Sequence, residues 1–154
     1  MLSQQERREI DEERAKYDKP RAALVDALKI VQGHRGWVSD ESLADLSQHL
    51  EVSVHDLDAV ATFYNLIFRR PVGRHVILVC DSVSCFVMGY ETLRDRLSSE
   101  LGVAFGETTD DGRFTLLPMP CLGACDHAPV LLVDQDLHED VQPDGVRALL
   151  DRYD

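Results

Sequence analysis

All four cysteines of this chain fall into two pairs, Cys80 and Cys85 in "CDSVSC" and Cys121 and Cys125 in "CLGAC". The pattern is C-x4-C, a gap of 35 residues, then C-x3-C. Thiolates in such a set select soft or borderline metals: zinc, copper(I) or an iron–sulfur cluster. Structural zinc usually takes tight knuckles with two residues between cysteines. Both spacers here are longer, as they are where each pair must grip one iron of a two-iron rhomb. Spacing therefore favours a [2Fe-2S] centre over zinc. A redox dithiol is the weaker reading, because neither pair has the C-x2-C form.

The residues around the cysteines suit a cluster loop. Gly123 permits a tight turn that brings backbone N–H groups to sulfur, while Pro120 and Pro129 stiffen the flanks. Ser82 and Ser84 offer hydroxyl hydrogen bonds to the ligands. His127 is read as solvent-facing or as a hydrogen-bond partner, since four cysteines already complete a ligand set. Asp126 and His127 are expected to be exposed, and Pro129 to launch the strand that follows.

Composition narrows the function class. The opening stretch "MLSQQERREIDEERAKYDKP" has no apolar core of a secretory signal, and its acidic residues do not suit a transit peptide. Thiols in a reducing compartment, rather than disulfides, are the expectation. A net charge of −12 would be repelled by phosphate backbones and anionic lipid surfaces, so a protein partner is expected, with no nucleic acid and no membrane insertion. No nucleophile with a poised base, paired-carboxylate site or G-x-G-x-x-G loop is present, so the chain has no visible means of binding a dinucleotide itself.

Two rhythms organise the elements that must carry the cysteines. Residues 1–70 read as a helical bundle. Ser3 and Glu6 form a capping box ahead of a sparsely apolar helix, with Ile10 and Tyr17, expected to be solvated or partner-bound. Pro20 opens a core-facing helix with Leu24, Ala27, Leu28 and Val31, expected to stop at Gly33. Ser39 caps a third helix with Leu43, Leu46 and Leu50; Ser53 caps a fourth with Leu57, Val60, Ala61 and Tyr64. Residues 71–154 read as a small α/β domain. "HVILVC" is a buried strand, followed by one helix with Phe86, Tyr90, Leu93 and Leu97 on a stripe. "GVAFGE" and "GRFTLLPM" are strand candidates around the turn "DDG", "PVLLVD" is another buried strand, and Pro143 starts a closing helix with Val146, Leu149, Leu150 and Tyr153 inward. Each cysteine pair lies just after a strand, so both can project from one sheet edge.

The third and fourth helices have the cadence of a helix-turn-helix, yet the second of them offers His55, Asp56 and Asp58 where a DNA reader needs basic residues. Arg69, Arg70 and Arg74 form the one basic cluster, read as a docking patch for an acidic surface or as a plain connector. Trp37 is expected in the bundle core, and Phe63 and Tyr64 in packing between the halves.

"ATFYNLIFRRPVGRHVILVCDSVSC" with Gly89 and "CLGACDHAPVLLV" resembles the 24-kDa or E subunit family of NADH:quinone oxidoreductase, respiratory complex I, over nearly the whole chain. The resemblance implies a thioredoxin-like fold for the α/β domain and Cys80, Cys85, Cys121 and Cys125 as ligands of one [2Fe-2S] cluster. It implies FMN and the NADH site on a partner, the flavin-bearing F subunit, with which the cluster exchanges an electron. The chain would be an electron carrier within an oxidoreductase, on the cytoplasmic peripheral arm of a membrane-bound complex. The same module in an NAD-linked hydrogenase or formate dehydrogenase is the alternative, and dimerisation of the isolated chain stays open.

Overall fold

The helices of the first half begin where a serine hydroxyl can satisfy their free N–H groups. In the computed structural model, which describes residues 1–153, the chain divides into two compact units, Met1–Pro71 and Val72–Asp154. In the first, α1 (Gln4–Arg14) starts at Ser3, whose hydroxyl accepts from Glu6 N–H while the Glu6 carboxylate accepts from Ser3 N–H, the reciprocal capping box read in the sequence. Ser39 caps α3 (Asp40–Leu50) by accepting from Ser42 N–H, and Ser53 caps α4 (Val54–Phe63) by accepting from Asp56 N–H. Pro20 opens a 3-10 turn that leads into α2 (Leu24–Arg35). That helix runs past Gly33 and ends at Gly36, which takes the left-handed conformation that closes a helix.

Spacing at i, i+3, i+4 makes the core of this unit: Leu24, Ala27, Leu28 and Val31 of α2 meet Leu43, Leu46 and Leu50 of α3 and Leu57 and Ala61 of α4. Each fully buried leucine contributes about 2 kcal/mol. α1 is not the solvated helix its sparse pattern foretold. Ile10 is fully buried against α2, and Leu2 and Glu6 are buried with it, whereas Tyr17 lies beyond the helix and is exposed. Trp37 is half-buried and stands outside the core, with Val38 taking the interior position. Within this unit Phe63 is 80% exposed and Tyr64 44% exposed.

The second unit is a four-stranded mixed sheet in the order β2-β1-β3-β4, with helices packed on it. β1 (His75–Cys80) pairs in parallel with β2 (Phe114–Met119), from His75 opposite Phe114 to Cys80 opposite Met119. A parallel pair cannot be closed by a tight turn and needs a helical crossover. α5 (Val83–Val87) and α6 (Tyr90–Leu101) supply it, where one helix was expected. The break falls at Gly89, with φ of 109°, so Tyr90, Leu93 and Leu97 stay buried while Phe86 turns outward. Gly89→Ala is expected to cost about 1 kcal/mol through this φ alone, since an added Cβ would meet nothing within 4 Å; a thermal melt would read it.

β3 (Leu131–Val133) is antiparallel to β1, and β4 (Asp136–His138), unforeseen in the sequence, folds back on β3 as an edge hairpin. "GVAFGE" is no strand. Its glycines interrupt the extended run, and it lies along β2 through Gly106 N–H to Leu116 O and Leu116 N–H to Glu107 O. Pro143 opens a 3-10 turn before α7 (Val146–Leu150), whose Val146 and Leu150 join the core. Among the described residues no helix is long and apolar enough to cross a membrane.

Candidate metal centre

Parallel pairing of β1 and β2 sends both strands out of the same edge of the sheet. Cys80 is the last residue of β1, and Cys121 follows two residues after β2 ends, so the two pairs start side by side although 35 residues separate them. α5 carries Cys85 back beneath the edge, and a short 3-10 turn, Cys125–His127, begins at the fourth cysteine. The Ser84 hydroxyl comes close enough to Cys125 to favour its thiolate, and α5 packs on the second cysteine segment. All four are free thiols.

Within each pair the sulfurs are within hydrogen-bond reach: Cys80 with Cys85, and Cys121 with Cys125. Burial differs sharply between them. Cys80 and Cys85 are buried in the sheet core, whereas Cys121 and Cys125 are exposed.

Backbone supplies the polar contacts to sulfur. Gly123, with φ of 85°, turns its N–H onto Cys121 Sγ at 3.3 Å, the role its place in "CLGAC" foretold. Val130 N–H donates to Cys85, while Val130 O accepts from Cys80 N–H at 3.2 Å, so one residue of the last segment steadies the first pair. Nothing in the sequence marked Val130 for this, because backbone groups carry no residue signature. Ser82 caps α5 by position and makes no side-chain cap bond; Ser84 is the serine that reaches a thiol.

Desolvation pushes the Cys85 thiol up to about 11, with the neighbouring Cys80 and Cys125 adding to it and the Val130 N–H opposing. Cys125 is also raised, first by its hydrogen bond with Cys121 and then by that neighbour's charge. A bound cation favours the thiolate, which is the form that binds metal. The donor set thus fits a cationic thiophilic centre. His127 is exposed and held by Asp140, whose Oδ2 lies 3.2 Å from Nδ1 and raises the imidazole's pKa. Asp140 N–H also donates to His127 O at 2.8 Å, a clamp between residues too far apart in the chain for any motif to reveal.

The rival sites resolve differently. In α4, Asp56 pairs with Arg21 at 2.6 Å and Asp58 with Arg69 at 3.0 Å, so the face that would have read DNA is acidic and engaged in ion pairs. Arg69 is no free docking cation: it also binds Asp40 at 2.5 Å and the Val38 carbonyl.

Comparison with known proteins gives the same constellation a context. The family model described as thioredoxin-like [2Fe-2S] ferredoxin matches residues 10–154. The E subunit of NADH-quinone oxidoreductase from Pseudomonas aeruginosa is 51% identical over 153 residues, covering 99% of this chain and 92% of that protein. Its counterpart in Escherichia coli K12 is 48% identical over 152 residues, with coverage of 99% and 92%. Among solved structures, an NAD+-reducing [NiFe]-hydrogenase in the H2-reduced state superimposes with a TM-score of 0.72 at 26% identity over 84% of this chain, which spans 22% of that hydrogenase chain. A parallel strand pair that delivers two cysteine pairs to one sheet edge, in a sequence matched over this length, leaves one conclusion: the chain belongs to the thioredoxin-like [2Fe-2S] ferredoxin family.

Proposed function

We propose that this chain is the electron-transfer subunit of the NADH-oxidising module of an NADH:quinone oxidoreductase, with Cys80, Cys85, Cys121 and Cys125 as the ligands of its one cluster. The observation that carries the reading is the convergence of both cysteine pairs at the end of the parallel β1/β2 pair. Bound there, a [2Fe-2S] centre supplies one-electron chemistry that the side chains lack. Its partner in that exchange is FMN on the flavin-bearing F subunit, which also holds the NADH site. The chain's place is the cytoplasmic peripheral arm of the complex.

The chain's own residues hold and tune. Cys80 and Cys85 secure the buried side, Gly123 and Val130 aim N–H groups at sulfur, and the Ser84 hydroxyl reaches Cys125. Such donors stabilise the more negative state of a thiolate centre. Two pairs are also the arrangement for two metal ions rather than one. Identity near 50% to the E subunits of NADH-quinone oxidoreductases over their length, against 26% to the hydrogenase chain, favours the quinone-linked complex over the hydrogenase alternative.

Anaerobic purification with metal and sulfide analysis tests this. About two irons and two acid-labile sulfides per chain, with an S = 1/2 EPR signal after dithionite, are expected; stoichiometric zinc without sulfide would overturn it.

A further inference from the structure

We propose that Tyr153 is the hub of an acid-sensitive latch that fastens the segment after α7 to the sheet, with His138 of β4 as the group whose protonation releases it. The latch lies outside the thiol site and does not rest on the electron-transfer reading. Tyr153 follows α7 by three residues and reaches three parts of the unit. Its hydroxyl lies 2.6 Å from His138 Nε2 and 3.1 Å from Asp136 Oδ2, both on β4. Its ring meets His75, the first residue of β1, edge-on at 5.4 Å, and His138 at 6.0 Å. Its carbonyl, with that of Leu150, accepts from Arg113 Nη2, one residue before β2. β4 needs this hold: it is an edge strand of three residues paired on one side only, and so short a strand is marginal by itself.

The proton inventory makes His138 the switch. A carboxylate only accepts, so the phenol donates its one proton to Asp136 and takes its second bond as acceptor. His138 Nε2 must therefore carry the hydrogen, which the neutral ring supplies with Nδ1 bare. Acid adds a proton at Nδ1. The half-buried site opposes that charge first by desolvation and then through Arg152, against the pull of Asp136, so the ring's pKa lies below the ordinary 6.5. The other charged groups around the hub are engaged: Arg113 on the two carbonyls, and Asp134 with His75 Nδ1 at 2.6 Å and Val76 N–H at 2.9 Å. β3, beside β4, offers only Leu131, Leu132 and Val133. Because the pKa is lowered in the fold, the released segment takes the proton more readily than the latched one. The hold is complete above 6.5 and drains away as pH falls through the lower folded value. At the alkaline end burial and Asp136 raise the Tyr153 pKa, so the phenol keeps its proton across the neutral range.

Native-state hydrogen exchange of the full, anaerobically purified chain tests this between about pH 7.5 and about pH 5.5, with rates corrected for the intrinsic effect of pH. In the wild type, protection over residues 134–138 and 146–153 is expected to fall several-fold on acidification, while residues 76–80 of β1 keep theirs. His138→Gln keeps an N–H for the phenol oxygen and cannot take the proton, so it should match the wild type at neutral pH and lose the acid step. Tyr153→Phe keeps the ring and removes both bonds; it should open the segment about ten-fold more often at neutral pH and flatten the response. His75→Gln should leave the acid step in place. An acid step that survives His138→Gln overturns the proposal, as does a wild type with no step. A loss of protection shared equally by β1 would mean general unfolding and overturns it too.

Discussion

Cys85→Ala is expected to abolish the S = 1/2 EPR signal of the reduced chain and bring iron content close to zero, while the far-UV circular dichroism stays that of the wild type. The thiol is 1% exposed and sits among Val79, Tyr90 and Leu131 of the sheet core, so alanine removes a single heavy atom from a packed site. The packing loss is about 1 kcal/mol, too small to unfold the unit. The loss at the metal is of another order. Three thiolates cannot complete two tetrahedral irons, and the Val130 N–H is left without the sulfur it donates to. Cys121→Ala makes the complementary measurement. Its thiol is exposed, so the fold should lose still less, yet the cluster should be lost as completely. Two irons and two sulfides retained in either variant would remove that cysteine from the ligand set.

The second large effect lies in the helical unit. Glu6→Ala is expected to destabilise it by about 3 kcal/mol near neutral pH and by about half that or less near pH 3. The Glu6 carboxylate is 4% exposed and accepts from Arg35 Nε at 2.7 Å and Nη2 at 3.1 Å, a bidentate pair, with Ser3 N–H as a third donor at 2.7 Å. Chiefly through Arg35, with Ser3 assisting against the cost of burial, its pKa is held at about 2 rather than the ordinary 4.5. A folded-state pKa below the unfolded one means stability that is fully present above 4.5 and drains away as pH falls toward 2. A carboxyl displaced that far carries about 3 kcal/mol. The variant also leaves Nε of a guanidinium that is only 27% exposed without its acceptor, although Nη1 keeps Ser42 and Asp45. Trp37, the only tryptophan, lies in this unit and can report its unfolding by fluorescence in urea. An equal loss at pH 7 and pH 3 would show that packing, and not the ion pair, holds α1 in place.

What is legible in the residues alone, and what is not, divides along the range of the interactions. Ser3, Ser39 and Ser53 cap helices because each hydroxyl answers N–H groups two or three residues away. Apolar residues at i, i+3, i+4 mark α2, α3 and α4 for the same local reason. The burial of α1 escapes such a reading because it depends on a single isoleucine and on Glu6 meeting Arg35, 29 residues away, which periodicity does not sense. The split at Gly89 hides behind a continuous stripe, and β4 behind strands too short and exposed to alternate. Arg69 looks free until Asp40 and Asp58 claim it.

The sequence by itself determined the donor chemistry: four thiols, in two pairs spaced for more than a single ion, with Gly123 poised to turn an N–H onto sulfur. Those features are properties of residue type and of separations of five residues or fewer. Only the tertiary structure decided that the pairs leave the same sheet edge, because no local rule joins Cys80 to Cys121; the parallel register of β1 on β2 does, and it forms only when the α5–α6 crossover packs its apolar side on the sheet. The same packing buried one pair and exposed the other, placed Val130 beside Cys85, and left the face of α5 without a cover. Burial is a collective outcome of the whole unit, and residue spacing alone does not carry it.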